Sequence, residues 1–198
     1  MKILNPLDIC TSPDALLKAT ENPRHRAMIK NYRRHAMLEV SGRFEEVLGP
    51  GMLVDDPVYR IFESGKQLVL HGRAEVAAYY REFLASGATV FGPLEERMAV
   101  ADWGLALESY FGCHLRGHEL VALGVEVGNP DAFYQLNRWV CSFWPYDENC
   151  LLIGEHIYEN FASREVHEIN EDDFVTQELA SALLNPLLDG PDPDWMTG

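Results

Sequence analysis

The sequence predicts an α+β fold, in which N-terminal helices precede a long antiparallel meander. Ile29, Tyr32, Ala36 and Val40 recur at steps of three and four residues, the spacing of one helix face. From residue 89 the pattern changes to long strands separated by turns, and hydrophobic residues make up 47% of the chain. Helices followed by a run of strands are typical of α+β domains. A strongly curved sheet wrapped around the helices would enclose a cavity between the two layers.

Composition excludes several classes of partner. The chain of 198 residues has 31 acidic and 16 basic side chains, a formal net charge of −15. Nucleic-acid binding needs a basic face, so we expect no nucleic-acid partner. The same charge argues against anionic membrane surfaces, and no apolar run reaches the length of a membrane span. We therefore expect no membrane partner.

The cysteines and the N-terminus predict a cytoplasmic protein. No two of the four cysteines have the Cys-x-x-Cys spacing of a zinc or redox motif, so we expect free thiols. Asn5, Pro6 and Asp8 stand where a signal peptide needs an unbroken apolar core.

The helices are predicted from caps and periodicity. Residues 1–22 are expected to form an N-terminal arm that includes a short helix over 13–20. Asn22-Pro23 is a favourable helix start, because Asn caps and Pro fits the first turn. This helix should end at Gly42. Its basic residues form either a solvated face or a docking site for an acidic segment. Further helical segments are expected at 43–48 and 72–85.

The strands are predicted from alternation and turn signals. We expect strands at 52–62, 67–70, 89–100, 104–115, 119–127, 132–144 and 150–160. Residues 23–162 would then form the main domain, followed by an acidic C-terminal extension over 163–198. From Glu165 onward the chain has nine acids and no Lys or Arg. A helix over 171–184 is expected to dock on the body or on a partner subunit.

The candidate reactive group is Asp56, which precedes Pro57 in a mostly apolar segment. Both residue types are depleted in strands, so the pair is expected at a bulge or a strand end. A carboxylate can act as general base, and the phenols of Tyr32 and Tyr80 could donate to a developing oxyanion. The alternatives are that Asp56 forms a turn and that both tyrosines belong to the core.

Other polar and aromatic residues have two interpretations each. His114 and His156 are either cavity residues or structural histidines, and Trp139 and Trp144 belong to the core, to an interface or to a cavity wall. His114 and His118 are not on one helix, so no metal site is predicted. Motifs of serine hydrolases, dinucleotide binding, nucleotide binding and zinc proteases are missing from the sequence.

The segments around Asp56 and after it resemble a known superfamily. The run VDDPVYRIF followed by LHGRAEVAAYYREF is similar to the nuclear transport factor 2-like (NTF2-like) superfamily, in its ketosteroid isomerase and SnoaL-like polyketide cyclase branch. The resemblance covers roughly residues 23–160. It implies a cone-shaped, curved antiparallel sheet wrapped around N-terminal helices, as in NTF2-like and cystatin-like folds. It also implies an apolar cavity and a homodimer.

The resemblance also implies site residues. Asp56 matches the general base of the isomerases, Tyr32 the oxyanion-hole tyrosine and Tyr80 a supporting tyrosine. Ser142 stands where the isomerases have a protonated Asp, and Leu48 replaces a further tyrosine. These departures argue against a true steroid isomerase. The expected catalytic residues are Asp56 and Tyr32. The expected substrate contacts are Tyr59, Tyr80, His114, Trp139, Ser142, Trp144 and His156.

The resulting hypothesis is an acid/base enzyme that uses no metal and no cofactor. It would abstract a proton from a small hydrophobic or aromatic oxygenated substrate, as an isomerase, dehydratase, cyclase or retro-aldol lyase. A non-catalytic protein that binds a small ligand or docks a protein in the same cavity is the alternative. A third possibility is an epoxide hydrolase or dehydratase that uses Asp102, His114 or His156.

Overall fold

The chain folds as a mixed, curved and unclosed sheet that packs against several helices. The computed structural model describes residues 1–63 and 65–196. The helices are α1 (Thr11–Ala19), α2 (Pro23–Val40), α3 (Phe44–Val47), α4 (Gly72–Ala85), α5 (Gly117–Ala122) and α6 (Gln177–Asp189). As predicted, the Asn22 side chain caps α2, accepting from the backbone N–H groups of Arg24 and His25.

The strands are β1 (Val58–Phe62), β2 (Leu68–His71), β3 (Phe91–Ala101), β4 (Gly104–Arg116), β5 (Phe133–Pro145), β6 (His156–Glu159) and β7 (Glu165–Ile169). Their order across the sheet is β2-β1-β6-β5-β4-β3. The first half of β5, from Phe133 to Asn137, pairs with β7, and its second half, from Val140 to Phe143, pairs with β6.

Three strand predictions need correction. β1 pairs with β6 in parallel, so the sheet is mixed rather than antiparallel. The expected strand over 119–127 is absent, and helix α5 occupies its start, because Glu119 Oε2 accepts a hydrogen bond from the Arg116 backbone N–H at 2.6 Å and so caps the first turn. The expected strand over 150–160 is reduced to β6, since Leu152 in the segment before it makes only isolated bridges, to Leu53 and to Tyr146.

The two faces of the sheet differ in what they cover. Side chains alternate along a strand. The even-numbered residues of β5 from Arg138 to Trp144 face the helices, and Phe143 points away from them. Tyr32, Met28 and Ile29 of α2 are buried in the main core, together with Tyr59 of β1 and Tyr80 of α4. The core therefore lies between α2, α4 and the concave face of the sheet.

Both terminal segments pack on this body. Leu4 N–H donates to Gln135 Oε1 at 2.8 Å, and Ile9 is 3% exposed. The expected tail helix begins at Gln177 rather than at residue 171. The basic residues of α2 take part in docking the tail, because Arg34 Nη1 donates to the Leu188 carbonyl at 3.1 Å. Residues 197 and 198 of the extension lie outside the described residues. Among those that are described, no helix has the length and apolar character needed to cross a membrane.

Candidate active site

A cavity of about 80 Å³ lies between α2, α4 and the concave face of the sheet. Most of its wall is apolar, and the charged and polar residues are few. Its lining residues are Ile9, Tyr32, Ala36, Glu39, Ile61, Glu63, Tyr79, Phe83, Phe91, Phe111, Arg138, Val140, Ser142, Trp144, Glu155 and Ile157. A mostly apolar cavity with a few convergent polar groups is the usual form of a small-molecule site.

Helix α2 carries the first carboxylate to this cavity. Tyr32, Ala36 and Glu39 follow steps of four and three residues and therefore share one helix face. His35 lies one turn before Glu39, and its Nε2 is 3.4 Å from Glu39 Oε1. The His35 side chain has no exposed surface, and that of Glu39 is only 9% exposed.

The second carboxylate, Glu155, comes from the segment just before β6. Its backbone is held against β1, because Arg60 N–H donates to the Glu155 carbonyl at 2.7 Å. Gly154 permits this close approach, since a Cβ at that position would overlap the carbonyl oxygen of Val58. The sheet thus fixes Glu155 opposite α2.

A hydrogen-bonded cluster joins the two carboxylates behind the cavity wall. His35 Nε2 lies 2.9 Å from Glu155 Oε1 and 3.0 Å from the Tyr80 hydroxyl oxygen. Tyr80 donates its hydroxyl hydrogen to Glu155 Oε1 at 2.8 Å, and the Tyr59 hydroxyl lies 3.4 Å from that of Tyr80. We refer to His35, Glu39, Tyr80 and Glu155 as the His35 cluster. Glu39 and Glu155 line the cavity, and His35 and Tyr80 lie behind them.

The charged groups of the His35 cluster shift one another's pKa values. Burial lowers the pKa of His35, but the charges of Glu39 and Glu155 outweigh burial and raise it to about 9. Burial, and next the Glu155 carboxylate, raises the pKa of Glu39 above its usual range, although His35 opposes this shift. Near neutral pH the cluster therefore contains an imidazolium, and Glu39 holds its proton more tightly than an ordinary glutamate does.

Two hydroxyl groups line the cavity: that of Ser142 on β5, and that of Tyr32 on the same face of α2 as Glu39. The Tyr32 hydroxyl also has a hydrogen bond with Glu96. Burial, followed by the charge of Glu96, raises the pKa of Tyr32 well above its usual value, so the phenol stays protonated. Ser142 Oγ accepts a hydrogen bond from Trp144 Nε1 at 3.2 Å, and its own hydrogen is therefore available to another acceptor. The Tyr32 and Trp144 rings meet edge to face, with centroids 4.8 Å apart.

The same cluster has the chemistry of a possible metal site. One ligand atom each from His35, Glu39 and Glu155 lies within 4.8 Å of the others, and all three residues are buried. Imidazole and carboxylate ligands suit several divalent cations. The contacts within the cluster are also those of a hydrogen-bonded ion pair, so geometry allows either use.

Asp56 does not lie in the cavity wall, contrary to our expectation. It is exposed, and it belongs to a bend that precedes β1. Its Oδ1 is 3.3 Å from the position that a Cβ on Gly72, the first residue of α4, would take. A carboxylate near a helix N-terminus is favourable electrostatically. This position matches the turn-forming alternative rather than the predicted general base.

The remaining predicted residues fall into three groups. Tyr32, Ser142 and Trp144 line the cavity. Tyr59 and Tyr80 are buried behind it, and Tyr80 supports Glu155 as described above. His114, Trp139 and His156 lie elsewhere.

Each residue of the third group lies outside the cavity for a different reason. His114 is 1% exposed and is satisfied by Gln135 Oε1 at 3.1 Å and by the Val175 N–H, which donates to Nδ1 at 2.9 Å. The Trp139 ring packs at a tilt against the Tyr110 ring, with centroids 5.1 Å apart. His156 alternates with Glu155 and Ile157 of the cavity wall and so occupies the other face of the sheet.

Sequence reasoning missed His35, Glu39, Glu155, Glu63 and Arg138. One available signal was the spacing of His35 and Glu39, which are four residues apart within the apolar stripe of α2. Charged groups on a buried face need partners, so this pair indicated a buried polar cluster. The partner Glu155 is far away in sequence, and no local pattern identifies it.

Comparison with known proteins adds no relative. The sequence matches no protein-family model and no curated protein.

Proposed function

We propose that the protein is an acid/base enzyme without a cofactor, which acts on a small hydrophobic or aromatic oxygenated compound. Its class would be isomerase, dehydratase, cyclase or retro-aldol lyase, chemistry found in SnoaL-like and ketosteroid isomerase-like members of the NTF2-like superfamily. The observation that supports this most is the pair Glu39 and Glu155 in an apolar cavity, with His35 Nε2 between them at 3.4 and 2.9 Å.

Glu39 is the proposed general base in place of Asp56. A base works best when its pKa lies near the operating pH, and burial and Glu155 raise the pKa of Glu39 in that direction. Glu155 instead accepts two hydrogen bonds at Oε1, from Tyr80 and His35. The environments of the two carboxylates thus differ, which is how enzymes separate the roles of two similar groups.

Tyr32 and Ser142 are the proposed donors to the substrate oxygen. Abstraction of a proton next to a carbonyl places negative charge on that oxygen, and fixed hydroxyl donors in a dry cavity stabilise it. His35 would act as a positioning residue, since its positive charge balances the carboxylates without lining the cavity. Together these groups would stabilise an enolate. Isomerisation, dehydration and cyclisation form it when the base takes the proton next to the carbonyl, and a retro-aldol cleavage forms it when the base takes the hydroxyl proton and the C–C bond breaks.

The test compares Glu39→Gln with Asp56→Asn on a panel of one-ring ketones and phenols. Glu39→Gln should lower turnover by about 10²–10⁴-fold, the usual contribution of general acid/base catalysis, and leave ligand binding intact. Asp56→Asn should leave turnover unchanged, because Asp56 is exposed outside the cavity. The reverse pattern would show that Asp56 is the base after all. Dialysis against EDTA should not change turnover; loss of activity that Zn²⁺ or Mn²⁺ restores would show a metal-dependent reaction.

A non-catalytic binding protein is the second candidate. The exposed position of Asp56 favours it, because the residue that resembles the isomerase base is not directed at a ligand. This candidate predicts that panel compounds bind in the cavity, as seen by chemical shifts of Trp144, without any pH-dependent turnover. Turnover that depends on Glu39 would exclude it.

A further inference from the structure

We propose that Arg138 forms a subsite for a carboxylate, and that the ligand of this cavity is a small aromatic or cyclic carboxylic acid. This inference deepens the proposed function and depends on it for the reaction, but not for binding. Such a subsite needs a cation at the cavity wall and N–H groups on that cation that are free to bind a carboxylate. It also needs an adjoining apolar space large enough for the ring of the ligand.

Arg138 lies where two cavities meet. The second cavity also has a volume of about 80 Å³, and it shares Ile61, Glu63, Tyr79, Phe83 and Arg138 with the first. Arg138 faces inward from the middle of β5, on the same side as Ser142 and Trp144. Its side chain is 14% exposed, so the guanidinium is largely shielded from solvent.

The guanidinium contacts the Cys113 thiol and Glu63, but the protein does not satisfy all of its N–H groups. In the part of the chain that the structure describes, its hydrogen bond to a carboxylate runs from Nη2 to Glu63 Oε2 at 3.5 Å. Charge-assisted hydrogen bonds are normally about 2.7–2.9 Å long. Nε is buried without a hydrogen-bond partner, and it lies 3.7 Å from Glu159 Oε1. The N–H fork that usually binds a carboxylate in bidentate geometry is therefore only weakly engaged.

Both neighbouring carboxylates have closer partners. Glu159 is bound by Arg164, with Nε 2.5 Å from Oε1 and Nη2 2.8 Å from Oε2. Glu63 Oε1 accepts a hydrogen bond from the Tyr79 hydroxyl at 3.2 Å. Glu63 is thus a loosely held carboxylate beside Arg138, in a position that a ligand carboxylate could take over.

The adjoining space determines the rest of the ligand. Phe83, Phe91 and Phe111 line the first cavity, so the part of the ligand next to the carboxylate is apolar. An engineered apolar cavity of about 150 Å³ accommodates benzene. Two adjoining cavities of about 80 Å³ each therefore suit one substituted ring rather than a steroid or a polycyclic compound.

Benzoate and benzamide test the proposal, because they have nearly the same shape and differ in charge. Binding of both to the full chain is measured by calorimetry for the wild type, Arg138→Gln, Arg138→Lys and Glu63→Gln. The wild type should bind benzoate about tenfold or more tightly than benzamide, since hydrogen bonds to a charged group are the stronger ones. Arg138→Gln should abolish this preference, and Arg138→Lys should reduce it.

Compared with the two Arg138 variants, Glu63→Gln should have the opposite effect on benzoate binding. It removes the competing carboxylate, so it should tighten benzoate binding several-fold and leave benzamide binding unchanged. Equal binding of the two probes to the wild type, or no binding of either, would overturn the proposal. A benzoate preference that survives in Arg138→Gln would do the same. If Arg138→Gln does not fold, Arg138→Lys and Glu63→Gln still have to shift the preference in opposite directions.

Glu39→Gln separates this inference from the proposed function. That variant lacks the proposed base but keeps Arg138, so it should still bind benzoate more tightly than benzamide. A preference for benzoate, without turnover of any ketone or phenol of the panel or of their carboxylated analogues, would support the subsite and contradict the enzyme. Turnover of neutral ketones together with no preference for benzoate would support the enzyme and overturn the subsite.

Discussion

At the scale of single residues, His35 links protonation to folding. Its pKa in the fold is about 9, compared with 6.5 for the ordinary side chain. The folded state therefore binds a proton more tightly than the unfolded state does. The resulting stabilisation is complete below pH 6.5 and is lost as the pH rises through 9.

We therefore predict that the free energy of unfolding falls between pH 6.5 and 9. The shift in the pKa of His35 corresponds to roughly 3 kcal/mol. The raised pKa of Glu39 acts in the same direction, because its proton is also held more tightly in the fold. Urea titrations at several pH values measure the effect, and His35→Gln should flatten the pH dependence. A stability that is constant or increases over this range would contradict the prediction.

Tyr80→Phe tests the support that the cluster gives to Glu155. The variant keeps the ring, which stacks on Phe44 with centroids 4.9 Å apart, and removes only the hydroxyl. Loss of this donor leaves a buried carboxylate with one hydrogen bond fewer, at a cost of about 1–3 kcal/mol. Tyr158→Phe is the matched control, because Tyr158 is 38% exposed and should lose little. Thermal unfolding compares the two; equal effects would show that the Tyr80 hydroxyl does not support the cluster.

The sequence predicts the apolar part of the cavity better than its charged part. Tyr32 follows from the stripe of α2, Ser142 from the superfamily resemblance, and Trp144 from the aromatic residues of the predicted strand over 132–144. The sequence does not predict the His35 cluster, because Glu155 is far from His35 in the chain and the two meet only when the sheet packs against α2. Asp56 shows the opposite case: its distinctive local motif forms a bend before β1, and its carboxylate lies beside the N-terminus of α4 rather than in the cavity.

At the scale of elements, the C-terminal helix α6 is an integral part of the fold. Gln177 Nε2 donates to the Val40 carbonyl at the end of α2 at 2.8 Å, and Ser181 Oγ donates to the Ser41 carbonyl at 2.6 Å. Ala180 and Leu184 have no exposed surface. The helix therefore stabilises the end of the element that carries His35 and Glu39.

Two leucines of α6 make a matched pair for testing this role. Leu184 is 0% exposed and Leu187 is 42% exposed. Leu184→Ala should destabilise the protein by about 2–5 kcal/mol, because it leaves a cavity in the core. Leu187→Ala should change stability by less than about 0.5 kcal/mol. Urea unfolding of both variants measures the difference, and a mild effect of Leu184→Ala would show that α6 is only loosely attached.

Elements were predictable where one signal dominated. Helix α2 has a cap, a periodic stripe and a terminating glycine, and the paired strands β3 and β4 alternate over long runs. Around residue 119 two local signals compete. Leu120 and Val121 fit a strand, but the Glu119 side chain accepts from the Arg116 backbone N–H, and the segment forms the helix that this bond caps. The parallel pairing of β1 with β6 joins segments almost a hundred residues apart, and no sequence pattern encodes it.

At the scale of the whole molecule, the outer face of the sheet carries an aromatic stripe. Neighbouring rings of the stripe are in contact. The distance between ring centroids is 5.3 Å for Phe62 and Tyr158, 6.1 Å for Tyr158 and Phe143, and 6.3 Å for Phe143 and Trp103. Trp103, Phe143 and Tyr158 are 48%, 40% and 38% exposed. Contiguous exposed apolar patches mark interaction surfaces more often than scattered apolar residues do.

We propose that a second copy of the chain covers this aromatic stripe, in the homodimer that the superfamily resemblance implies. Each copy has a net charge of −15, so two copies repel one another except where apolar surface is buried between them. Phe143→Glu should therefore convert the dimer to a monomer, as measured by sedimentation equilibrium. Val121→Glu is the control, because Val121 is 51% exposed but lies on α5, away from the stripe. Added salt should strengthen the wild-type dimer by screening the repulsion, and a wild type that is monomeric at high protein concentration and high salt would contradict the proposal.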